Sequence, residues 1–495
     1  MLKNLGLLFK KQAKKNYRNT CLDLGKDNII SYGKIDSLSD SLASYFFQEK
    51  GIREGDRICI ESKKNLFSYV ALLSCLKLGV IYSFFDVNDG ESRINNVINT
   101  VKPKNIFLFS KNKKIKSKRE IILVNEKFEQ RVFFRENKKI ISKFKNKFLN
   151  AYIMFTSGST GKPKGVLISH YNLTFFINWV KMTFKIDKNT KMSNLNPLHF
   201  DNSVFDVYGS IFNNATLIPV EKNEILVPKN LIKKLKIAKC NLWFSVPSLL
   251  DLILHIGGLN IFKKNTLKKM IFGGERFPLQ SVKKILSINK KIQFYNVSGP
   301  TECTCMCSSY KVKSRDLKGK DVYVGKISKY FNYKIIGKQG AKYRSKNGEL
   351  YLEGPAVSPG YFNDRKRTKE KFYKVGKFNG YKTGDIVMEE KNKLLKIIGR
   401  TDNQIKFLGH RIELEEIEKA FIKLFGIKNC IAAIKKKKQY PHKNIVIFLD
   451  KKIGNEDKIK FKLSKLLPKH MIPEEIKFVR KFAYNSNGKL DRTKY

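Results

Sequence analysis

Short apolar runs bounded by polar or turn-forming residues alternate with longer apolar stretches through the first quarter of the chain. DRICIES is followed by LFSYVALLSCLKLG, then VIYSFFDV and KNIFLFS. Strand-like runs interleaved with helical ones predict a parallel sheet covered by helices, an α/β architecture. At the start, Leu2, Leu5, Leu8 and Phe9 recur at helical spacing and predict an amphipathic first helix. The apolar run there is only five residues long with no small-residue cleavage site, unlike a secretory leader. The longest apolar stretch, Tyr69 to Phe85, contains Lys77 and Gly79 and falls short of the ~20 residues a bilayer span needs. It predicts a helix, a turn at Lys77-Leu78-Gly79 and a buried strand. Near Gly399 the pattern changes: GRTDNQIKFLGHRIELEEIEKAFIKL passes from a polar link through a short strand into a charged helix. The expected organisation is a large domain of sheets layered with helices over 1–399, a hinge at 400–403, and a small mobile α+β domain over 404–495.

Composition narrows the function classes. With 42% hydrophobic residues, 36 Phe and 21 Tyr among 495 residues, the chain has the apolar surface to fold and is not wholly disordered. Its 99 basic and 43 acidic residues give a net charge of +56, which raises nucleic acid or anionic membrane as a partner. However, 83 of the basic residues are Lys, scattered along the whole chain, whereas nucleic-acid readers favour the planar fork of Arg. No aromatic-basic platform or groove-reading motif accompanies them. The abundance of Lys, Asn, Ile and Phe fits AT-rich coding, so neither nucleic acid nor membrane is the expected partner, and the cytoplasm is the expected compartment. The stretches 111–118 and 435–438 read as solvated loops. Eight Cys in a chain this large and unsecreted imply no disulfide framework. Cys303, Cys305 and Cys307 alternate in ECTCMC. A strand would turn all three to one face, but the further ligands that a metal cluster needs are missing.

The most informative segment is YIMFTSGSTGKPKGVLISH, residues 152–170. An apolar strand enters a loop of Gly158, Gly161 and Gly165, four hydroxyls (Thr156, Ser157, Ser159, Thr160) and the ammoniums of Lys162 and Lys164. Glycines let successive N–H groups converge on an anion, and hydroxyls and ammoniums complete the cradle. Pro163 stands where the Walker pattern needs Gly, so this is a different phosphate loop. TSGSTGKPKG resembles the phosphate loop of the adenylate-forming superfamily, which includes acyl-CoA synthetases and amino-acid adenylation domains. ISYGKIDSLSDSLA, LKLGVIYSFFD, FDNS, NVSGPTE, GELYLEGPAVSPGY, YKTGD, GRTDNQIKFLGHRIELEEIE and NSNGKLDR follow the family's motifs in order, from about residue 30 to 492.

The chemistry implied by this resemblance is carboxylate activation. Transfer of the carboxylate to the α-phosphate of ATP makes an acyl adenylate whose AMP departs readily, and preorganised positive charge at that phosphate lowers the barrier. By resemblance, Lys489 supplies that charge. ATP is expected to contact the loop residues Thr156 to Lys162 and Lys164, then Gly274 and Glu275, the run Asn296, Val297, Ser298, Gly299, Pro300 and Thr301, and Asp385 and Arg400 at the ribose. Glu302 is expected to hold Mg²⁺ through oxygen, the ligand a hard cation prefers. Ser298 departs from the family's adenine-stacking Tyr, a loss worth about 1–3 kcal/mol unless a neighbour such as Tyr295 substitutes.

In FDNS, the resemblance pairs Asp201 with a substrate α-ammonium, since a buried ammonium needs a carboxylate partner; Asp201 could instead cap the following helix. Phe200 would gate the site, and Asn202, Phe205, Ser245, Val297, Cys305 and Met306 would line the side-chain pocket, a soft wall where the sulfur residues stand. GPAVSPGY and Glu415 resemble D-alanyl carrier protein ligases more than modular peptide synthetases, while Gly273 departs from the Cys of the D-alanine enzymes. The expected substrate is a small or medium amino acid. Six residues follow Lys489, which predicts a separate acceptor, either a phosphopantetheine-bearing carrier protein or CoA. Asp402 is expected to be the pivot on which the small domain turns between the two half-reactions. An acyl-CoA synthetase acting on an acid without the α-amine is the alternative.

Overall fold

The computed structural model describes residues 4–25, 28–134, 149–158, 163–263, 266–319, 321–337, 345–436, 443–483 and 490–495. Among them the strands form three large sheets, which occupy the first four hundred residues, and two small ones near the C-terminus. In the seven-stranded sheet, Arg57–Glu61, Ile81–Phe85, Asn105–Leu108 and Glu120–Leu123 run parallel, with Asn150–Thr156 parallel to Ile81–Phe85. The expected parallel α/β pattern is therefore present. The nine-stranded sheet has a parallel centre made of Gln293–Ser298, Lys269–Gly273, Leu242–Ser245, Lys191–Asn194 and Thr216–Pro219. An antiparallel five-stranded sheet follows, containing Phe378–Glu390 paired with Leu394–Arg400.

The first helix, Leu5–Lys15, buries Leu5, Gly6, Phe9 and Ala13; Leu2 lies outside the described residues. Any Cβ at Gly6 would come within 2.5 Å of the Lys77 Cα, so glycine allows this helix to touch Leu66–Leu78. That second helix runs through Lys77 and Leu78 and stops at Gly79, which is left-handed at φ 72°, before the buried strand Ile81–Phe85. Lys77 is itself fully buried, and its ammonium is matched at 2.7 Å by both Asp36 and Asp40 of the helix Tyr32–Gln48. Apolar packing thus surrounds a paired charge, which burial tolerates only with such partners. Lys64 joins two sheets: from just beyond Arg57–Glu61 it donates to the carbonyls of Asn194, Leu195 and Val220 at 2.7–2.9 Å. No described helix is long and apolar enough to cross a membrane.

Beyond Arg400 come the hairpin Gln404–Phe407 and His410–Glu413, the helix Leu414–Phe425, and a sheet of Cys430–Lys436, Lys443–Leu449 and Glu475–Phe478. This region has its own apolar cluster, including Ile412, Ile417, Phe421, Ile447 and Leu463.

Candidate functional site

The strand Asn150–Thr156 pairs antiparallel with Lys164–Ser169, and Thr156 faces Lys164 in the register. The glycine-rich loop between them is closed at its base in this way. Ser159, Thr160, Gly161 and Lys162 lie outside the described residues. Thr156 and Ser157 line a cavity of about 80 Å³, and the buried Thr156 hydroxyl has no hydrogen-bond partner among the described residues. Gly158 N–H and Ser157 Oγ are both engaged by the C-terminal region: Glu416 accepts from the former at 3.3 Å, and the Arg411 carbonyl from the latter at 2.5 Å.

Gly299, Pro300, Thr301 and Met306 form the facing wall. A Cβ on Gly299 would fall 2.5 Å from Met306 Cα, so only glycine fits where the chain folds back. Thr301–Cys303 is a 3₁₀ turn, and Thr304 and Cys305 follow with φ of 56° and 75°. The three alternating cysteines therefore lie on a turn and not on a strand. All are buried free thiols, and burial pushes each of them up. Among the described residues no group of three or more His, Cys, Asp or Glu could hold a metal.

Of the residues expected at the side-chain pocket, Phe200, Asp201, Asn202 and Met306 line the cavity. Phe205, Ser245, Val297 and Cys305 are packed behind it, none more than 1% exposed. Of the expected nucleotide contacts, Gly274, Gly299, Pro300, Thr301, Asp385 and Arg400 line the cavity. Asn296 is buried and donates to the Tyr323 carbonyl at 2.8 Å; Ser298 is buried beside it. Tyr295 packs its ring against Phe184 at 5.3 Å and is not part of the cavity lining. Glu275 accepts from Ser248 N–H at 2.8 Å and Gly409 N–H at 2.6 Å, tying the start of the helix Pro247–His255 to the hairpin.

Asp201 stands just before the helix Asn202–Ile211, yet its side chain makes no capping bond to that helix. Its carboxylate instead accepts the Thr301 hydroxyl across the cavity. Burial raises its pKa, which the Thr301 bond opposes and the nearby Glu302 charge reinforces. The position is thus set up electrostatically for a cation that would stabilise its ionised form.

Glu302 is fully buried. Its Oε1 accepts from Tyr361 at 2.7 Å and lies 3.4 Å from Lys164; its Oε2 accepts from Arg411 at 2.9 Å. Burial alone would raise its pKa, but Arg411 and Lys164 outweigh burial and hold the carboxyl well below the usual range. Burial, with Arg411 adding to it, pushes Lys164 down to about 8. Both oxygens being paired, Glu302 as arranged presents no free ligand to Mg²⁺. Asp385 contacts Arg400, which also grips Asp402 through two bonds of 2.7 and 2.9 Å and reaches Gln404 at 2.9 Å. Asp402 is held low because Arg400 outweighs the effect of burial. Lys489 lies outside the described residues.

A second cavity of about 830 Å³ shares Arg93, Phe155, Phe200, His410 and His470 with the first. Arg411, Glu416, His410 and His470 were not singled out from the sequence, although the first three fall within the quoted RIELEEIE motif and its preceding GH. Their signal was present, but read only as a strand entering a helix.

An α/β fold that gathers Thr156, Ser157, Asp201, Asp385 and Arg400 at one cavity is that of an AMP-forming adenylating ligase, an enzyme that activates a carboxylate with ATP. The AMP-binding enzyme family matches residues 9–362, and the chain belongs to that family. The D-alanine–D-alanyl carrier protein ligase of Listeria monocytogenes serotype 4b is 29% identical over 481 residues, spanning 94% of this chain and 93% of the relative. The ligase of the same name from Bacillus cytotoxicus is 30% identical over 482 residues, spanning 95% and 94%. The fold is shared with a Vibrio cholerae adenylation domain crystallised with glycyl-adenosine-5'-phosphate, at a TM-score of 0.85 and 22% identity over 99% of this chain and 96% of that one.

Proposed function

We propose that the enzyme activates a small or medium amino acid as its adenylate, releasing pyrophosphate, and passes the aminoacyl group to the phosphopantetheine thiol of a separate carrier protein. The observation that carries the amino-acid reading is Asp201. Its carboxylate faces the cavity, leaves its own helix uncapped and is held by the Thr301 hydroxyl. An α-ammonium there would gain an ionic partner, whereas a plain carboxylic acid would leave that charge unmatched. The relatives that span nearly the whole chain, named for ligation to a carrier protein, support the transfer step.

In this reading Lys489 neutralises the α-phosphate, Asp385 accepts from the ribose hydroxyls with Arg400 behind it, and the phosphate loop receives the triphosphate. Residues 404–495 move as a unit about Asp402, and the larger cavity admits the pantetheine arm. The test is ATP–pyrophosphate exchange across a panel of amino acids and the corresponding acids lacking the α-amine. Exchange is expected with small or medium amino acids only. D201N is expected to lower exchange by about 10²–10³-fold, the cost of leaving a buried charge unpaired. Exchange driven by the deaminated acids, and untouched in D201N, would identify an acyl-CoA synthetase instead.

A further inference from the structure

The helix Glu91–Val101 begins at Gly90, which has no side chain with which to cap it. The first N–H groups of a helix need acceptors from elsewhere. One acceptor comes from the C-terminal region: the Lys465 carbonyl, at the end of the helix Glu456–Ser464, accepts the Ser92 N–H at 3.2 Å. The positive end of one helix thus meets the negative end of the other. The fit is close. A Cβ on Gly90 would come within 2.7 Å of the Ser464 carbonyl oxygen and 2.9 Å of the Lys465 backbone. Gly90 itself lies at φ −61° and ψ 146°, an extended conformation open to other residues. Glycine is required here by the neighbouring backbone and not by its own dihedral angles. One turn further on, Arg93 reaches Glu416 of the same region at 3.5 Å, with Asp89 at 3.2 Å from its guanidinium.

This contact adjoins the larger cavity, which Asp89 and Arg93 help to line. The walls of that cavity come from both sides of Asp402: Phe85 and Leu198 belong to one, Leu408 and Ile445 to the other. The cavity is therefore made by the contact, and parting the two walls would open it to solvent. The same arrangement sets Arg411 on Glu302 and Glu416 on the Gly158 N–H. Under the proposed function those are positions for the triphosphate and its counter-charge, so the arrangement suits the step that follows the consumption of ATP.

Resting on the thiol-transfer reading above, we infer that Gly90 is a positioning residue for the transfer step, the seat on which residues 404–495 come to rest so that the acceptor's cavity is complete. The missing side chain lets Ser464 and Lys465 approach. A methyl there holds them off, because two backbones meet and neither has a flexible side chain to give way. When residues 404–495 swing away, water takes over the Ser92 N–H and the Lys465 carbonyl. Exchanging such a bond for water changes the free energy little, so the contact can form and break in every cycle.

The test uses full-length enzyme and the amino acid that drives its pyrophosphate exchange. With the adenylate formed beforehand in the active site, G90A should pass the aminoacyl group to pantetheine about 10- to 100-fold more slowly than the wild type, the effect of an added methyl where packed backbones meet. Its maximal rate of pyrophosphate exchange should be unchanged. Its KM for ATP should fall by about two- to tenfold, because fewer molecules are held in the seated arrangement. Damage to the fold would not improve affinity for ATP. G90S, whose hydroxyl can cap the helix for itself, should behave alike while keeping the start of the helix intact. Transfer at the wild-type rate in either variant, an equal loss in both half-reactions, or a KM for ATP that holds or rises overturns the assignment. Wild-type enzyme that exchanges pyrophosphate yet transfers to neither pantetheine nor a carrier overturns the transfer reading itself. Wild-type enzyme that transfers, matched by G90A, leaves that reading standing without Gly90.

Discussion

Five residues along the chain from Asp201, Asp206 is buried and lines neither of the two cavities described above. Its Oδ2 accepts from the amides of Asn194 and Asn196 at 2.8 and 3.0 Å, while Oδ1 has no partner among the described residues. Burial drives its pKa up to about 8, against the pull of the two amides and of Lys64. A carboxyl that holds its proton more tightly folded than unfolded stabilises the fold most below its ordinary pKa, and that contribution is lost as pH rises through about 8. Asn mimics the protonated form, so the melting temperature of D206N relative to the wild type should rise steadily from pH 5 to pH 8. Equal melting temperatures at both pH values would show that Asp206 is ionised in the fold. At this scale the sequence was legible where a residue's neighbours are local. FDNS pointed to Asp201, which lines the cavity, and Lys77 was visible as an interruption in an apolar stretch. The positive φ at Thr304 and Cys305 was not, because non-glycine residues carry no signal of that conformation. Nor could spacing show that Phe205, Ser245, Val297 and Cys305 pack behind the wall, since depth depends on how separate elements meet.

Two charges from adjoining elements stand where the proposed reading puts the nucleotide's phosphates and their counter-charge. Arg411, on the strand His410–Glu413, puts a cation on Glu302, and Glu416, at the start of the helix Leu414–Phe425, puts a carboxylate on Gly158 N–H. Arg93 lies 3.5 Å from the same Glu416 carboxylate. With ATP bound as proposed, this docking of the hairpin would compete with it, and a population held in the docked arrangement would reduce apparent nucleotide affinity in proportion. R411A should lower the KM for ATP in pyrophosphate exchange by about three- to tenfold while slowing transfer to the thiol; an unchanged or higher KM for ATP would contradict the competition. The elements were legible in outline: the phosphate-loop strand and the helix of RIELEEIE formed where the pattern placed them, while the turn expected at Lys77-Leu78-Gly79 is confined to Gly79, the helix running on through Leu78. Their docking was not, because Arg411 and Glu302 are over a hundred residues apart and no periodicity reports which charges meet.

Across the whole molecule, the net charge of +56 is not gathered at the mouth of the larger cavity. Lys63, Lys222 and Lys469 line it alongside Glu61, Glu221 and Glu474. What the charge provides there is a long-range field and not a matched patch. Transfer to an acidic carrier protein should then slow by about tenfold or more between low and high salt, whereas transfer to uncharged pantetheine should not change. Salt-independent transfer to the carrier would leave the excess of Lys without a part in the reaction.

The buried ammonium groups give this lysine-rich chain a further property. Lys77 is enclosed with its two aspartates, Lys64 with three carbonyls and Lys164 with Glu302. An amine-reactive reagent would modify the many surface lysines at once and reach these three only when the surrounding packing opens. Each sits at a different junction: between the first helices, between two sheets, and beneath the phosphate loop. The time at which each becomes modified would therefore date the opening of its own junction, a record of unfolding written by the chain without any added label.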